Sequence, residues 1–340
     1  MSVDRKPWAS FCMATYRRPA RLESTLKSIL AQSVSDFEVV VTDNDPERSG
    51  EAVVRKLADP RITYHANERN LGMVKNFNRA LSFATGSYVV MITDDDPVYP
   101  EMLATLQRLA ADRPGFGAYF AGCEVDFQDE AIAAKYRRPS GVVRLLADRP
   151  EGAIWTYDKH QFPVEYLDGR VFPYVLWSCG MVRRDIALEI GGMPDYGSPF
   201  LTDFGYIVLA GSREGCCCIN TAVGFQAVHS GNFGRQQTSE LVSAVEGFHA
   251  YVEQRMRDRP GWPGERATME AMLGRWFADH MVFLWKFHRQ SAERQKWLRA
   301  LALSARLPYL RASMIRAISM SLRHKVRTQV GRLPGLRRFA

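Results

Sequence analysis

Apolar positions along the first 125 residues fall into short runs that alternate with longer stretches of helical spacing. Trp8–Met13 reads as a strand, and Pro19–Gln32 as an amphipathic helix with Pro19 suited to its first turn. Phe37–Thr42 is a second apolar strand, ending at Asp43-Asn44-Asp45-Pro46. A helix near Glu51–Ala58, a strand at Arg61–His65 and a helix over Leu71–Ala84, stopped by Gly86, come next. Tyr88–Thr93 is rich in β-branched residues and reads as a buried strand. Pro100–Ala111 follows as a helix and Gly117–Phe127 as a strand. Such alternation predicts an α/β domain with a mostly parallel sheet covered by helices on both faces.

Periodicity fades from about 128 to 170, where charge, Gly and Pro are scattered, and a long irregular segment in a compact domain is functional or mobile. Order returns at Tyr174–Arg183 and Asp185–Ile190, broken by Gly191-Gly192. Asp203–Arg213 is predicted helical, with strands at Cys216–Ile219 and Val223–His229. From about Ser239 onward the pattern is helical almost throughout. The expected division is a catalytic domain over 1–235 and a helical region over 236–340.

Composition adds limits. The 340 residues are 46% hydrophobic and 24% charged, as in ordinary globular proteins. No apolar run approaches the roughly 18 residues of a membrane span, and the N-terminal residues lack the apolar core of a signal peptide. Six cysteines, Cys12, Cys123, Cys179, Cys216, Cys217 and Cys218, form no C-x-x-C pair. They read as buried small residues, with a thiolate site as the alternative, and imply a reducing, cytoplasmic setting.

The net charge of +8 is uneven. Residues 286–340 hold 14 Lys/Arg and one acid, Glu293, leaving the rest of the chain at −5. A basic tail on an acidic body argues against nucleic acid as a partner. Within the tail Pro308 interrupts the helical pattern, and Tyr309–Arg327 resumes it. Leu310, Met314, Ile318, Leu322 and Val326 form one apolar stripe, with Arg316, Arg323 and Arg327 on the opposing side. A basic amphipathic helix of this kind suits an anionic membrane surface; packing of the stripe on the rest of the protein is the alternative.

Candidate chemistry centres on Asp94-Asp95-Asp96, directly after the Tyr88–Thr93 strand. Ligands of open α/β sheets gather at the carboxyl ends of strands. Three adjacent carboxylates repel one another unless a cation or donor-rich ligand neutralises them. An acidic turn in which Asp96 starts the next helix is the plainer alternative. Asp43/Asp45 also ends a strand, and Asp203 opens a predicted helix. Carboxylate oxygens suit Mg²⁺ or Mn²⁺, which leave positions open for substrate phosphates. Neither a G-x-x-x-x-G-K-[ST] loop nor a G-x-G-x-x-G after the first strand is present, so no glycine cradle holds phosphate.

These residues carry a resemblance. Ala14-Thr15-Tyr16-Arg17-Arg18-Pro19 resembles the opening of family 2 glycosyltransferases. So does the ordered set that follows: Gln32-Ser33, Phe37 to Asp43, Asn70-Leu71-Gly72, Ala84 to Tyr88, Thr93 to Asp96, Gly191-Gly192-Met193-Pro194, Thr202-Asp203 and His229. The likeness covers roughly residues 8–232. It implies a GT-A fold and a nucleotide-sugar donor bound with a divalent metal. By position it implies that Thr15, Tyr16 and Asp43 hold the donor nucleoside and that Asp94 lies near the donor ribose; Asp43 as a turn-forming residue before Asn44 is the alternative, and Arg17 contacts donor phosphate or is simply solvated. Asp95 becomes the main metal ligand, with Asp96 and His229 as further ligands, and pairing of Asp94 with Asp96 on the metal is an open register. Asp203 matches the catalytic base, where Thr202 replaces the usual preceding acid; capping of the following helix is its plainer role. Trp177 and Cys179 fall in the segment expected to face the acceptor, although core packing explains Trp177 equally well.

The sequence thus predicts an inverting, metal-dependent glycosyltransferase of bacterial surface-polysaccharide assembly. It would act on a glycan or lipid-linked acceptor from the inner face of the plasma membrane. A non-catalytic nucleotide-sugar-binding protein of the membrane surface and a nucleotidyltransferase are the alternatives.

Overall fold

The computed structural model describes residues 6–136, 138–144, 146–172, 176–229, 231, 240–287, 298, 300–302, 304–311 and 315, with backbone alone for 135–136 and 282–287. The chain divides into two compact units, Met1–Asn232 and Phe233–Ala340.

The first unit is built on one nine-stranded sheet. Strand β1 (Ala9–Thr15) lies between β2 (Phe37–Asp43) and β4 (Tyr88–Thr93), parallel to both, and β3 (Ile62–Ala66) lies outside β2. Ala9, Phe11, Cys12 and Met13 are fully buried, as a central parallel strand covered on both faces requires. The register sets Thr15 beside Asp43 and Ala14 beside Thr93. The ends of β1, β2 and β4 therefore open onto one edge. The chain moves outward from β1 through α1 (Pro19–Leu30), β2, α2 (Glu51–Leu57) and β3. It then returns through α3 (Met73–Phe83) to the other side of β1 as β4. That reversal between β1 and β4 is where open α/β sheets form their binding crevice.

Beyond β4 the sheet is mixed. After α4 (Met102–Asp112) comes β5 (Ala118–Phe127), which is separated from β4 by the short antiparallel β8 (Gly180–Arg183). Strand β8 pairs only with Tyr88 and Val89 at the start of β4. The 3-10 turn Trp177–Cys179 packs against the rest of β4 and against β5. Strand β9 (Cys216–Val228) runs parallel to β5.

Two differences from the sequence expectation have physical causes. Residues 128–170 are not featureless: they hold α5 (Glu130–Tyr136), β6 (Gly141–Arg144), β7 (Ile154–Tyr157) and α6 (Gln161–Leu167). Elements of four to seven residues are too short to show a period. The two strands expected at 216–219 and 223–229 are one strand, with register irregularities against β5 near Gly122. Polar Asn220 interrupts the apolar pattern because its amide donates to the carbonyls of Ala147, Arg149 and Pro150. All six cysteines are buried and none forms a disulfide, as small apolar residues of the core.

Helix α7 (Arg184–Glu189) leads to a glycine turn, and α8 (Thr202–Glu214) precedes β9. The second unit contains α9 (Leu241–Met256) and α10 (Trp262–Phe287), with Glu265 buried against Arg259. No helix among the described residues is long and apolar enough to cross a membrane. Leu310 is buried, whereas Met314, Arg316, Ile318, Leu322, Arg323, Val326 and Arg327 lie outside the described residues.

Gly180 sits where β8 crosses between β4 and β5, and a Cβ there would stand 2.1 Å from Phe120 Cδ1 and 2.9 Å from the Tyr119 carbonyl oxygen. Gly180→Ala should lower stability by about 1–3 kcal/mol through overpacking, measured as a reduced urea midpoint with unchanged m-value.

Candidate active site

The site is assembled at the β1/β4 reversal. Thr15, the last residue of β1, donates from Oγ1 to Asp94 Oδ2 at 2.7 Å. The chain then turns through Arg17, whose φ of +54° puts a bulky residue in the left-handed region. Pro19 starts α1 immediately afterwards. Between them Arg18 returns its guanidinium to the strand ends, with Nη1 at 2.6 Å from Asp95 Oδ2 and 3.2 Å from Asp94 Oδ1. Helix α1 also grips the triplet's backbone, since Thr25 Oγ1 donates to the Asp94 carbonyl at 3.0 Å.

The three aspartates are buried but differently occupied. Burial raises the Asp94 pKa to about 6; Arg18 opposes the rise and Asp95 adds to it. Asp95 shares Oδ2 between Arg18 and His229 Nε2, the latter at 3.1 Å. Asp96 accepts from Thr93 Oγ1 at 2.6 Å through Oδ2 and from the Ala227 N–H at 3.0 Å through Oδ1. Oδ1 thus ties the end of β4 to β9, while Oδ2 is held by Thr93 of β4 itself, so both oxygens of the expected further metal ligand already have protein partners. Burial, then repulsion from Asp95, raises its pKa as well.

His229, just past β9, is buried, and desolvation together with the nearby Arg21 charge lowers its pKa. Its Nδ1 accepts the Gly231 N–H at 3.1 Å and its Nε2 faces Asp95; for Nε2 to hold a cation the neutral ring must carry its proton on Nδ1 and give up the Gly231 hydrogen bond.

Asp43 is fully buried: Oδ1 accepts the Asp45 N–H at 2.8 Å, while Oδ2 accepts the Gly50 N–H at 2.9 Å and the Tyr64 hydroxyl at 2.8 Å. A carboxylate engaged on both oxygens in this way shapes the turn after β2, the turn-forming role that was the alternative for Asp43. Beside it lies a network that the sequence did not reveal. Asn67 Nδ2 donates to Asn44 Oδ1 and Asn76 Oδ1, and Asn76 Nδ2 donates to the carbonyls of Thr42 and Thr15. The signal was present, because Asn76 falls on the apolar stripe of α3 between Val74 and Phe77. The rim is formed by Tyr16, 39% exposed, and by Arg17, which pairs with Asp45 at 3.1 Å and lies over the Tyr16 ring. Arg18 was the missed site residue; its signal was a second arginine at a strand-to-helix turn facing an acidic triplet.

Asp203 occupies the first turn of α8, half-buried, and burial raises its pKa against the pull of the Phe204 N–H. Leu201 before the helix has φ +64°, a strained conformation for a branched apolar residue. The far end of α8 lies at the start of β5: a Cβ on Gly117 would stand 3.4 Å from the Ala210 carbonyl oxygen. Thirteen residues at about 1.5 Å each make α8 roughly 20 Å long, with Asp203 in its first turn at the opposite end. The loop before α8 is fixed to α3, where Asn78 Nδ2 donates to the Met193 carbonyl at 2.9 Å and Oδ1 accepts the Met193 N–H at 2.7 Å.

Trp177 and Cys179 are both buried. Trp177 packs on Phe77 with ring centroids 5.0 Å apart, and Cys179 is fully buried. Both pack beside β4 where the short β8 ends, which matches the core-packing alternative for Trp177.

Among the described residues no three His, Cys, Asp or Glu side chains converge as a metal cage. The local chemistry nevertheless fits a divalent cation. Asp95 and His229 converge within 3.1 Å, and the Asp94–Asp95 pair already holds a positive group, the Arg18 guanidinium. Two protein ligands suit a Mg²⁺ or Mn²⁺ that completes its shell with water and phosphate oxygens.

Comparison with known proteins gives the family and the fold. The family model described as Glycosyl transferase family 2 matches residues 10–191. An uncharacterized protein of Mycobacterium tuberculosis is 34% identical over 188 residues, 55% of this chain and 57% of its own length. A GalNAc(5)-diNAcBac-PP-undecaprenol beta-1,3-glucosyltransferase of Campylobacter jejuni is 32% identical over 35% of this chain and 39% of its own. The matched stretch therefore spans well under two thirds of either relative. Among solved structures, S. aureus TarS 1-349 in complex with UDP-GlcNAc superposes with a TM-score of 0.65 at 15% identity, covering 93% of this chain and 92% of that one. The mannosyltransferase PcManGT from Pyrobaculum calidifontis, in complex with GDP-Man and Mn2+, gives 0.53 at 20% identity over 94% and 88%. The fold is the GT-A type.

Because burial lifts the folded-state values of Asp94 and Asp96 above those of the unfolded chain, the native state keeps protons that the unfolded chain has released. The resulting stability is complete below the ordinary carboxylate value near 4 and is lost as pH rises through the folded values, about 6 and about 7. Urea denaturation in chelator should show the wild type losing stability relative to Asp96→Asn between pH 4 and 7. A difference that is flat or moves the other way contradicts the burial argument.

Proposed function

The chain belongs to glycosyl transferase family 2, and from that premise we propose that it moves a sugar from a nucleotide-sugar donor to a hydroxyl of a glycan or lipid-linked acceptor. The process would be surface-polysaccharide assembly. The observation that carries this reading is the linked set Thr15–Asp94–Arg18–Asp95–His229 at the β1/β4 reversal, because it joins a cation-binding carboxylate to the strand edge where α/β proteins bind nucleotides.

In this proposal Asp95 and His229 hold the divalent cation, with Asp94 behind them. When bound, the cation offsets the charge that develops on the departing nucleoside diphosphate. Thr15, Tyr16 and Arg17 border the donor, with the exposed Tyr16 ring and the Arg17 guanidinium at the rim. Asp43 acts indirectly, by fixing the turn after β2. Asp203 removes the proton of the acceptor hydroxyl as its oxygen attacks the anomeric carbon, and its raised pKa makes it the stronger base. A single displacement of this kind inverts the anomeric centre.

Two features support a surface setting. The glucosyltransferase relative is named for an undecaprenol-linked substrate, and residues 286–340 carry a net +13. We place the enzyme on the cytoplasmic side of an anionic membrane on these grounds. The protein should sediment with anionic vesicles but not with neutral ones, and removal of residues 312–340 should abolish that binding.

The activity is tested by thermal shift with a panel of nucleotide sugars and Mn²⁺, where the true donor raises Tm by mass action. With that donor, Asp203→Asn should reduce kcat by roughly 10²–10⁴ while retaining the shift, and Asp95→Asn should lose the metal-dependent part of the shift. Full turnover in Asp203→Asn removes Asp203 as the base. Release of pyrophosphate from a nucleoside triphosphate would instead identify a nucleotidyltransferase.

A further inference from the structure

Arg18 takes no part in the chemistry above, yet it occupies the middle of the site. Its Nη1 stands 2.6 Å from Asp95 Oδ2, the oxygen that also faces His229, and 3.2 Å from Asp94 Oδ1. We propose that Arg18 is a built-in counter-cation, displaced from Asp94 and Asp95 by the divalent metal and passed to the diphosphate that the metal accompanies. The inference rests on the metal-dependent reading and deepens it.

Three observations carry it. Two buried carboxylates in sequence need a positive partner when no metal is bound, and the guanidinium supplies one. A guanidinium and a divalent ion cannot both sit on the same carboxylate oxygen, because like charges a few ångströms apart repel strongly in a low-dielectric site. The side chain also has room to leave, being 33% exposed, whereas its backbone does not. Arg17 before it is held at φ +54°, and the ring of Pro19 after it fixes the entry to α1. The exchange is therefore a side-chain rotation about a rigid turn.

An arginine stays charged at any working pH, and its planar fork matches phosphate oxygens in pairs. The anion that arrives with the metal is the nucleoside diphosphate, so the displaced guanidinium gains a partner only when both are present. Metal and diphosphate then bind cooperatively. By linkage each tightens the other by the same factor.

The test is Mn²⁺ binding by calorimetry on the full chain, alone and with saturating UDP or GDP. Wild type should bind Mn²⁺ weakly alone and more tightly with the diphosphate that binds. Arg18→Gln should bind Mn²⁺ alone more tightly than wild type, by on the order of tenfold, within the range usual for coupled sites. The tightening by diphosphate should shrink correspondingly. Arg18→Lys, which keeps the charge but not the fork, should fall between the two, and thermal melts confirm that both variants fold. Arg18→Gln binding Mn²⁺ alone no more tightly than wild type, or an unchanged diphosphate effect, overturns the proposal. Adding Asp95→Asn to Arg18→Gln separates the two readings. Mn²⁺ binding that survives this change places the metal elsewhere, and absence of Mn²⁺ binding in every variant removes the metal itself; either result overturns the exchange as well.

Discussion

Three carboxylates at successive positions can be buried together only if each has its own source of positive or hydrogen-bonding compensation. Leaving one such group unmatched costs several kcal/mol. Asp94 is met by Thr15 and Arg18, Asp95 by Arg18 and His229, and Asp96 by Thr93 and the Ala227 N–H. These partners come from β1, the turn into α1, β4 and β9, and they converge only when the sheet is assembled in its native order. Acidic repulsion thus acts as a constraint on topology: the triplet is tolerable in this fold and in few alternatives.

The constraint also divides labour along the triplet. Asp96 is turned inward as a tie between strands, and Val98 and Tyr99 extend the tie through the Val98–Gly224 bridge and the Tyr99 N–H to the Val223 carbonyl. The loop that leaves the active edge is therefore held to β9 at several points. Asp95 keeps one oxygen in contact with two mobile-proton or cationic partners, which is the chemistry of an exchangeable site. Adjacent residues of one type can differ this much because successive side chains leave a strand end in different directions.

The parallel half of the sheet was legible because its strands are buried on both faces and read as unbroken apolar runs, as at Phe11, Cys12 and Met13. The segment 128–170 was not, since four short elements with scattered charge carry no period. In the site, residue type identified the triplet, Asp203 and His229, but not which oxygen faces where. Asp43 ends a strand at the proper edge, and its engagement by Asp45, Gly50 and Tyr64 is a result of the turn's path that no spacing encodes. Trp177 stayed ambiguous for a related reason: an aromatic near a sugar site and an aromatic packed beside a short β8 look alike in sequence.

The two hydrogen bonds between Asn78 and Met193 join α3, part of the first half of the fold, to the loop that leads to Asp203. Both are made to the backbone of Met193, so they are indifferent to side-chain identity on the loop. Replacing the Met193 side chain therefore leaves both bonds in place. The register between α3 and Met193 is thus written in the Asn78 side chain, a point at which the two halves are held together.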